Sequence, residues 1–221
     1  MNENDENDII LVMTTYPKRL SYALRSLAIW RKYNPTLAMV LFLSLDEYPE
    51  KFKSIPIEII DIMIKLKIKV VFRNGNEKAF KSYFAGLYFK NNWILQTDDD
   101  FYPSDITFKK FLEYHNKYKD AFISWSLRNN NIVGNGVLYN PSMLDERYLT
   151  EMPLAVKYDL CDIWLTYWTK KDKIKIISNV GIPRNGFEEL SDTPGLTNKQ
   201  DNKDRVLAIK NFMNSKYGRV L

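Results

Sequence analysis

Four mostly apolar runs, each followed by polar residues, set the pattern of the first hundred positions. They cover residues 9–13, 39–45, 68–72 and 93–97 and predict four strands. The first is continuously apolar, which is typical of a strand that is buried on both faces of a sheet. Between the runs, apolar residues recur at helical spacing. We predict helices over residues 20–32, 57–66 and 77–90.

The second half of the chain has a less regular pattern. We predict helices over residues 104–119, 160–170 and 205–213, strands over 121–125, 132–139 and 174–177, and a loop over 179–202. Strands that alternate with helices predict an α/β fold with a mostly parallel central sheet flanked by helices. Because 221 residues suit one good-sized core, we predict a disordered tail at residues 1–8 and a single domain over residues 9–221.

Composition and charge narrow the class of protein. Hydrophobic residues make up 45% of the chain, enough to bury a core, and the net charge is +5. A basic chain suits an anionic ligand such as a nucleotide, although lysines spread this evenly also fit a solvated surface. Cys161 is the single cysteine, so there is no disulfide framework. We expect a cytoplasmic protein, because the first residues are acidic and no apolar run reaches the roughly 20 residues of a membrane span.

Three consecutive aspartates, Asp98, Asp99 and Asp100, directly follow the fourth apolar run. Because side chains alternate faces along a strand, we expect Asp98 and Asp100 to point the same way and Asp99 the other way. Two carboxylates on one face repel each other, and a hard cation such as Mn²⁺ or Mg²⁺ removes that penalty. The alternative is an acidic turn that caps the next helix. The triplet predicts a metal site with Asp98 and Asp100 as ligands.

Polar residues also follow the other strands. Thr14 and Thr15 come after the first run, Asp46 after the second, and Asn74 after the third. In parallel sheets, ligands bind beyond the carboxyl ends of the strands. We therefore expect a ligand site at this edge of the sheet.

Four segments resemble those of GT-A-fold glycosyltransferases. The sequence Trp-Ile-Leu-Gln-Thr-Asp-Asp-Asp-Phe-Tyr-Pro-Ser-Asp at residues 93–105 resembles their D-x-D segment. Residues 11–19 resemble their first strand and nucleotide loop, residues 40–49 their second strand, and residues 136–141 with 162–165 their acceptor-side strand and acidic helix. The segments occur in order over most of residues 9–170. They resemble in particular bacterial and large-virus (chlorella-virus-like) enzymes that build surface glycans.

The resemblance implies a metal-dependent enzyme that transfers a hexosyl or deoxyhexosyl group from a UDP-sugar, such as UDP-glucose or UDP-rhamnose, to a glycan or glycoprotein acceptor. It implies a role in surface or capsid glycan synthesis, in the host cytoplasm if the source is viral. Residues 9–103 would form the nucleotide-binding half, and residues 104–221 the acceptor half with a closing C-terminal loop and helix.

The resemblance also implies roles for individual residues. Mn²⁺ or Mg²⁺ would bind Asp98 and Asp100, and the ribose would lie near Asp98 and Asp99. The uridine pocket would be lined by Thr14, Thr15 and Arg19, and Asn74 would contact the nucleotide sugar. Lys81 would reach the diphosphate or the base, unless it is an ordinary exposed helix lysine.

Asp162 is the candidate catalytic acid–base or acceptor-orienting residue. Many relatives carry a second acid at the position of Cys161, so the pattern is incomplete here and the stereochemical outcome stays open. Asp162 would alternatively cap its helix. Residues 184–195 would form a mobile loop over the nucleotide sugar, and Asp201 or Asn202 would add a further contact.

Other sites and functions are disfavoured. His115 is the only histidine, which argues against a zinc site or a Ser-His-Asp triad. A sugar nucleotidyltransferase remains an alternative, although the segment after the first strand lacks the glycines that such enzymes carry. The acidic triplet argues against a nucleic-acid partner. A catalytically silent domain that binds nucleotide sugars also remains open.

Overall fold

The computed structural model describes residues 8–75, 78–125, 127–128, 131–132, 136–151, 161–178, 180, 187–189 and 202–218. The strands are β1 (Ile9–Thr14), β2 (Ala38–Ser44), β3 (Ile68–Arg73), β4 (Trp93–Gln96), β5 (Phe101–Pro103), β6 (Ala121–Ser124), β7 (Leu127–Arg128), β8 (Asn131–Ile132), β9 (Val137–Tyr139), β10 (Lys175–Ile177) and β11 (Phe187–Glu189). The α-helices are α1 (Leu20–Tyr33), α2 (Ile57–Lys65), α3 (Ala85–Tyr88), α4 (Thr107–Lys117), α5 (Arg147–Thr150), α6 (Cys161–Lys171) and α7 (Asn202–Tyr217). Short 3₁₀ helices cover Pro17–Arg19, Lys51–Ser54, Lys78–Phe84 and Pro141–Met143.

The central sheet has seven strands within the described ranges, in the order β10-β6-β9-β4-β1-β2-β3. Strand β1 pairs in parallel with both β2 and β4, β2 with β3, and β6 with β10. Strand β9 is antiparallel to β4 and to β6. The predicted α/β class with a mostly parallel sheet is confirmed.

Strand β1 lies in the interior of this sheet, between β4 and β2, and is buried on both faces. Leu11 and Met13 pack into the core beneath α1 and α4, together with Trp30. Val12 packs into the core on the opposite face, together with Trp164 of α6. Helices therefore cover both faces, which explains why the run at residues 9–13 is apolar without alternation.

The structure differs from the predictions in two places: where a strand pairs with a segment far away in the sequence, and where a predicted α-helix is mostly a 3₁₀ helix. Strand β5 was not predicted, and its antiparallel partner β11 lies within the segment predicted as a loop. The predicted helix over residues 77–90 is a 3₁₀ segment followed by the single turn of α3. The predicted tail, residues 1–8, lies outside the described residues except for its last residue. Among the described helices, none is both long and apolar enough to span a membrane.

Candidate functional site

The carboxyl ends of β1, β2 and β4 meet at one edge of the sheet. Strand β1 leads through Thr15 into the 3₁₀ turn Pro17–Arg19, which continues directly into α1. Strand β4 ends at Gln96, and the chain then forms a turn that carries the aspartate triplet before β5 begins. Because these strands are parallel neighbours, the turn after β4 lies beside the turn after β1.

Arg19 joins the turns after β1 and β4. Its Nη2 lies 2.6 Å from Asp99 Oδ1 and 2.6 Å from Asp100 Oδ2. Thr15 Oγ1 donates a hydrogen bond of 2.5 Å to Asp99 Oδ2. Arg19 and Asp99 are both buried, so these contacts form in a poorly hydrated environment where ion pairs are strong. The structure therefore brings Thr15, Arg19, Asp99 and Asp100 together.

The geometry of the triplet differs from the expected one. Because β4 ends at Gln96, the triplet lies in a turn and strand alternation does not apply to it. The expectation that Asp99 points away from Asp100 is wrong, since both carboxylates contact Arg19. Within the described ranges, no group of three or more His, Cys, Asp or Glu side chains could hold a metal ion. The assignment of Asp98 and Asp100 as a pair of metal ligands stays a prediction.

Two carboxylates of the triplet, those of Asp98 and Asp99, resist ionisation. Burial raises the pKa of Asp98 well above its usual value, and the charges of Asp162, Asp100 and Asp99 raise it further, while Arg19 opposes them. Burial likewise raises the pKa of Asp99 to about 6, against the opposing effects of Arg19 and the hydrogen bond from Thr15. A bound cation would lower the cost of ionising both groups.

Lys81 also lies in this region, on the 3₁₀ segment Lys78–Phe84. Its side chain is buried, and its Nζ lies 3.5 Å from Glu47 Oε2, just after β2. The alternative of an ordinary exposed helix lysine is therefore wrong. Arg19 and Lys81 are thus two buried cations of this region, paired with Asp99 and Asp100 and with Glu47, respectively. A bound cation would offset the additional negative charge that ionisation of Asp98 creates.

Asp162 lies in the first turn of α6. Tyr83 Oη donates a 3.1 Å hydrogen bond to Asp162 Oδ1, and Cys161 Sγ lies 3.8 Å from the same oxygen. Since the charge of Asp162 raises the pKa of Asp98, the two carboxylates lie within electrostatic range of each other. The structure therefore brings the candidate acceptor-side acid next to the triplet. The contact with Tyr83 comes from another element, so Asp162 is held by more than its own helix.

Other predicted residues occupy the margins of this region. Thr14 Oγ1 donates to the backbone carbonyl of Phe42 at 3.0 Å, and so links β1 to β2. Asn74 is exposed in the turn after β3. The predicted closing loop and Asp201 lie outside the described residues, apart from the short strand β11. Asn202 begins α7.

Four residues of this region were not predicted from the sequence: Tyr16, Glu47, Tyr83 and Gln96. Tyr16 and Glu47 directly follow residues that were noticed at strand ends. Burial raises the pKa of Tyr16, with further effects from Arg19 and Asp99, so Tyr16 lies beside their ion pair. In the sequence, Tyr83 looks like one more apolar residue of the predicted helix over residues 77–90. Its neighbours in the sequence do not indicate a contact with Asp162.

Solved structures of other proteins share this fold. The mannosyltransferase PcManGT from Pyrobaculum calidifontis, in complex with GDP-Man and Mn²⁺, matches with a TM-score of 0.55 and 14% identity, over 81% of this chain and 58% of that chain. TarS of S. aureus matches with a TM-score of 0.52 and 14% identity, over 96% of this chain and 44% of that chain. A cytidylyltransferase from Leptospira borgpetersenii matches with a TM-score of 0.50 and 13% identity, over 77% and 75%. No protein-family model and no curated protein sequence matches the chain.

These comparisons establish the fold class. The chain has the GT-A-like fold of nucleotide-diphospho-sugar transferases, which confirms the fold that the sequence resemblance implied. The chain spans 58% of the length of the mannosyltransferase, so the activity of that whole protein does not transfer with the fold. A mannosyltransferase and a cytidylyltransferase both have this fold, and the choice between their chemistries depends on the site.

Proposed function

We propose that this chain is a metal-dependent glycosyltransferase that transfers a sugar from a UDP-sugar to a glycan or glycoprotein acceptor. One observation carries the proposal: the aspartate triplet and Asp162 lie within electrostatic range of each other at the carboxyl edge of a GT-A-like sheet. This arrangement suits a donor diphosphate on one side and an acceptor hydroxyl on the other. Residues 9–103 would form the donor half, and residues 104–221 the acceptor half.

Asp98 and Asp100 would hold Mn²⁺ or Mg²⁺. The residues fit such an ion because they offer hard oxygen ligands, and because burial and then the neighbouring carboxylates raise the pKa of Asp98 in the absence of a cation. Mg²⁺-type sites commonly use only one or two carboxylates and complete their coordination with substrate phosphates. When bound, the ion would stabilise the negative charge that develops on the departing diphosphate.

Arg19 and Lys81 would add positive charge on the donor side. Arg19 Nε is buried and has no hydrogen-bond partner within the described part of the chain, and such a donor favours an acceptor on a ligand. Lys81 would exchange its 3.5 Å contact with Glu47 for a diphosphate oxygen. Thr14, Thr15 and Asn74 would border the nucleotide.

Asp162 would act on the acceptor side. In an inverting reaction its carboxylate would accept the proton of the attacking hydroxyl. In a retaining reaction it would stand beside the anomeric carbon. Either role needs an ionised carboxylate at a defined position close to the bound sugar.

The second candidate is a sugar nucleotidyltransferase. The cytidylyltransferase favours it, because 75% of that chain is covered, against 58% of the mannosyltransferase. The turn after β1, Thr14-Thr15-Tyr16-Pro17, has no glycine and argues against it. The reactions differ in their released product, which is a nucleoside diphosphate for the transferase and pyrophosphate for the nucleotidyltransferase.

Calorimetric titration of UDP and GDP, each with and without Mn²⁺, tests the proposal. We expect UDP to bind only with Mn²⁺, and Asp98→Ala/Asp100→Ala to lose this metal-dependent binding. Asp105→Asn is the matched control, because Asp105 is a nearby acid with an exposed side chain. If the chain binds GDP and not UDP, the donor is a GDP-sugar and not a UDP-sugar. If it binds neither nucleotide, the proposal is contradicted. Hydrolysis of UDP-glucose and UDP-rhamnose then identifies the donor sugar.

A further inference from the structure

Tyr83 is a fully buried residue that touches the candidate site through a single atom. It lies in the 3₁₀ segment Lys78–Phe84, between β3 and α3, and its ring stacks on Phe80 with 5.0 Å between centroids. Its Oη reaches Asp162 Oδ1 at 3.1 Å. The packed ring holds the hydroxyl in place, whereas Asp162 is half-buried at the beginning of a helix.

The hydrogen bonds of Tyr83 have a defined direction. Burial, followed by the charges of Asp162 and Cys161, raises the pKa of the Tyr83 hydroxyl well above its usual value, and a side-chain hydrogen bond with Gln96 opposes them. The hydroxyl therefore stays protonated and donates a hydrogen bond to the Asp162 carboxylate. An ionised carboxylate can only accept hydrogen bonds. The Gln96 amide can donate to the oxygen of Tyr83 in turn.

This arrangement connects the two sides of the site. Gln96 is the last residue of β4, two positions before Asp98, and Asp162 lies in the first turn of the acceptor-side helix α6. The hydrogen bond from Tyr83 to Asp162, with the Gln96 side chain near the same hydroxyl, thus sets the position of Asp162 relative to the strand that leads into the triplet.

We propose that Tyr83 is a positioning residue, which holds the Asp162 carboxylate in the orientation that sugar transfer requires. The proposal rests on the function proposed above. Tyr83 acts through Asp162, so its hydroxyl affects turnover and leaves nucleotide binding unchanged. Removing the hydroxyl takes away one of the contacts that fix the orientation of the Asp162 carboxylate.

Tyr83→Phe deletes only the hydroxyl, and Tyr139→Phe is the matched control. Tyr139 is equally buried, but its hydroxyl has no hydrogen-bond partner within the described ranges. We expect Tyr83→Phe to lower kcat by about 10- to 100-fold, because small displacements of a catalytic group cost this much. The Kd for UDP with Mn²⁺ stays unchanged, and Tyr139→Phe keeps the kcat of the native chain.

A double-mutant cycle with Asp162→Asn separates positioning from a general structural role. If Tyr83 acts through Asp162, Tyr83→Phe lowers kcat in the native background and has no further effect in Asp162→Asn. Equal losses in both backgrounds would overturn the proposal, as would a native kcat in Tyr83→Phe.

Alkylation of Cys161 gives a readout that does not depend on turnover. It is the single cysteine, and its Sγ lies 3.8 Å from the Asp162 oxygen that Tyr83 holds. If Tyr83→Phe releases Asp162, the thiol reacts faster, towards the rate of Asp162→Asn, while Tyr139→Phe reacts at the native rate. If the chain turns over no donor sugar, the proposed function is wrong, and the alkylation rates then test only whether Tyr83 holds Asp162. An alkylation rate in Tyr83→Phe equal to the native rate would overturn the positioning role of Tyr83.

Discussion

The donor and acceptor sides of the candidate site are held by different forces. On the donor side, Arg19 forms two buried ion pairs with Asp99 and Asp100, at 2.6 Å each. On the acceptor side, Asp162 is held by a neutral hydroxyl at 3.1 Å and by a nearby thiol. These contacts are thus ion pairs on the donor side and contacts with uncharged groups on the acceptor side. The donor side should respond to metal and pH, and the acceptor side to the loss of single atoms.

The largest effect is expected from a change in a catalytic group on the acceptor side. Asp162→Asn keeps the shape of the side chain and removes its charge, so we expect kcat to fall by about 10²- to 10⁴-fold. The Kd for UDP with Mn²⁺ should stay unchanged, because Asp162 is assigned to the acceptor. Steady-state kinetics beside calorimetry measures both quantities. An equal loss of nucleotide binding would contradict the division between the two sides.

The next effect concerns the stability of the donor side. Arg19→Met leaves Asp99 and Asp100 buried without their cation, so we expect the free energy of unfolding to fall by about 3–5 kcal/mol. Mn²⁺ should restore part of this loss, which urea denaturation with and without the ion measures. Arg25→Met is the control on the same helix: its guanidinium lies over the Tyr102 ring at 5.0 Å, and its loss should cost about 1 kcal/mol or less. Equal losses in both variants would contradict a special role of Arg19.

The donor side should also depend on pH. Because the pKa of Asp99 is raised to about 6 in the fold, the folded state holds this proton more tightly than the unfolded chain does. The resulting stability is present below the ordinary pKa of an aspartate and is lost as the pH rises to about 6, by up to about 3 kcal/mol. Urea denaturation between pH 4 and about pH 7 should show this loss in the native chain relative to Asp99→Asn. Parallel curves for the two proteins would contradict the raised pKa.

Metal binding should show the opposite trend with pH. Asp98, like Asp99, has a raised pKa, and a metal ion needs ionised carboxylates as ligands. The affinity for Mn²⁺ should therefore increase as the pH rises towards the raised pKa of Asp98. Calorimetric titrations at several pH values measure this, with Asp105→Asn following the native curve. A pH-independent affinity would place the metal elsewhere.

The smallest effect is expected far from the site. Lys90 and Glu146 form an ion pair of 2.8 Å, with side chains that are 60% and 76% exposed. Lys90→Ala should change the free energy of unfolding by about 1 kcal/mol or less, and salt should reduce even this difference. Comparison with Arg19→Met measures how much burial strengthens an ion pair in this chain. A loss as large as that of Arg19→Met would remove burial as the explanation.

The parts of the fold that could be predicted are those with a local signal. Strands β1, β2 and β4 are mostly apolar, because a strand buried between two layers of helices needs apolar side chains on both faces. Strands β5 and β11 have only three residues each and depend on each other for their hydrogen bonds, so neither has a pattern of its own. The 3₁₀ segment before α3 repeats aromatic residues at helical spacing, and the spacing alone does not separate the two helix types.

The residues of the candidate site also fall into those that a local sequence pattern indicated and those that only the tertiary structure brought together. The sequence by itself determined the fold class, the carboxyl edge of the sheet as the place of the polar residues, and the aspartate triplet as its most acidic feature, because strand patterns and consecutive charges are local properties. Only the tertiary structure decided that Arg19 binds Asp99 and Asp100, that Lys81 is buried against Glu47, and that Tyr83 meets Asp162. These partners are far apart in the chain, and what joins them is the parallel pairing of β1 with β4 and the packing of α6 against the sheet. Such contacts form only when the whole core assembles, so no local pattern of residues records them.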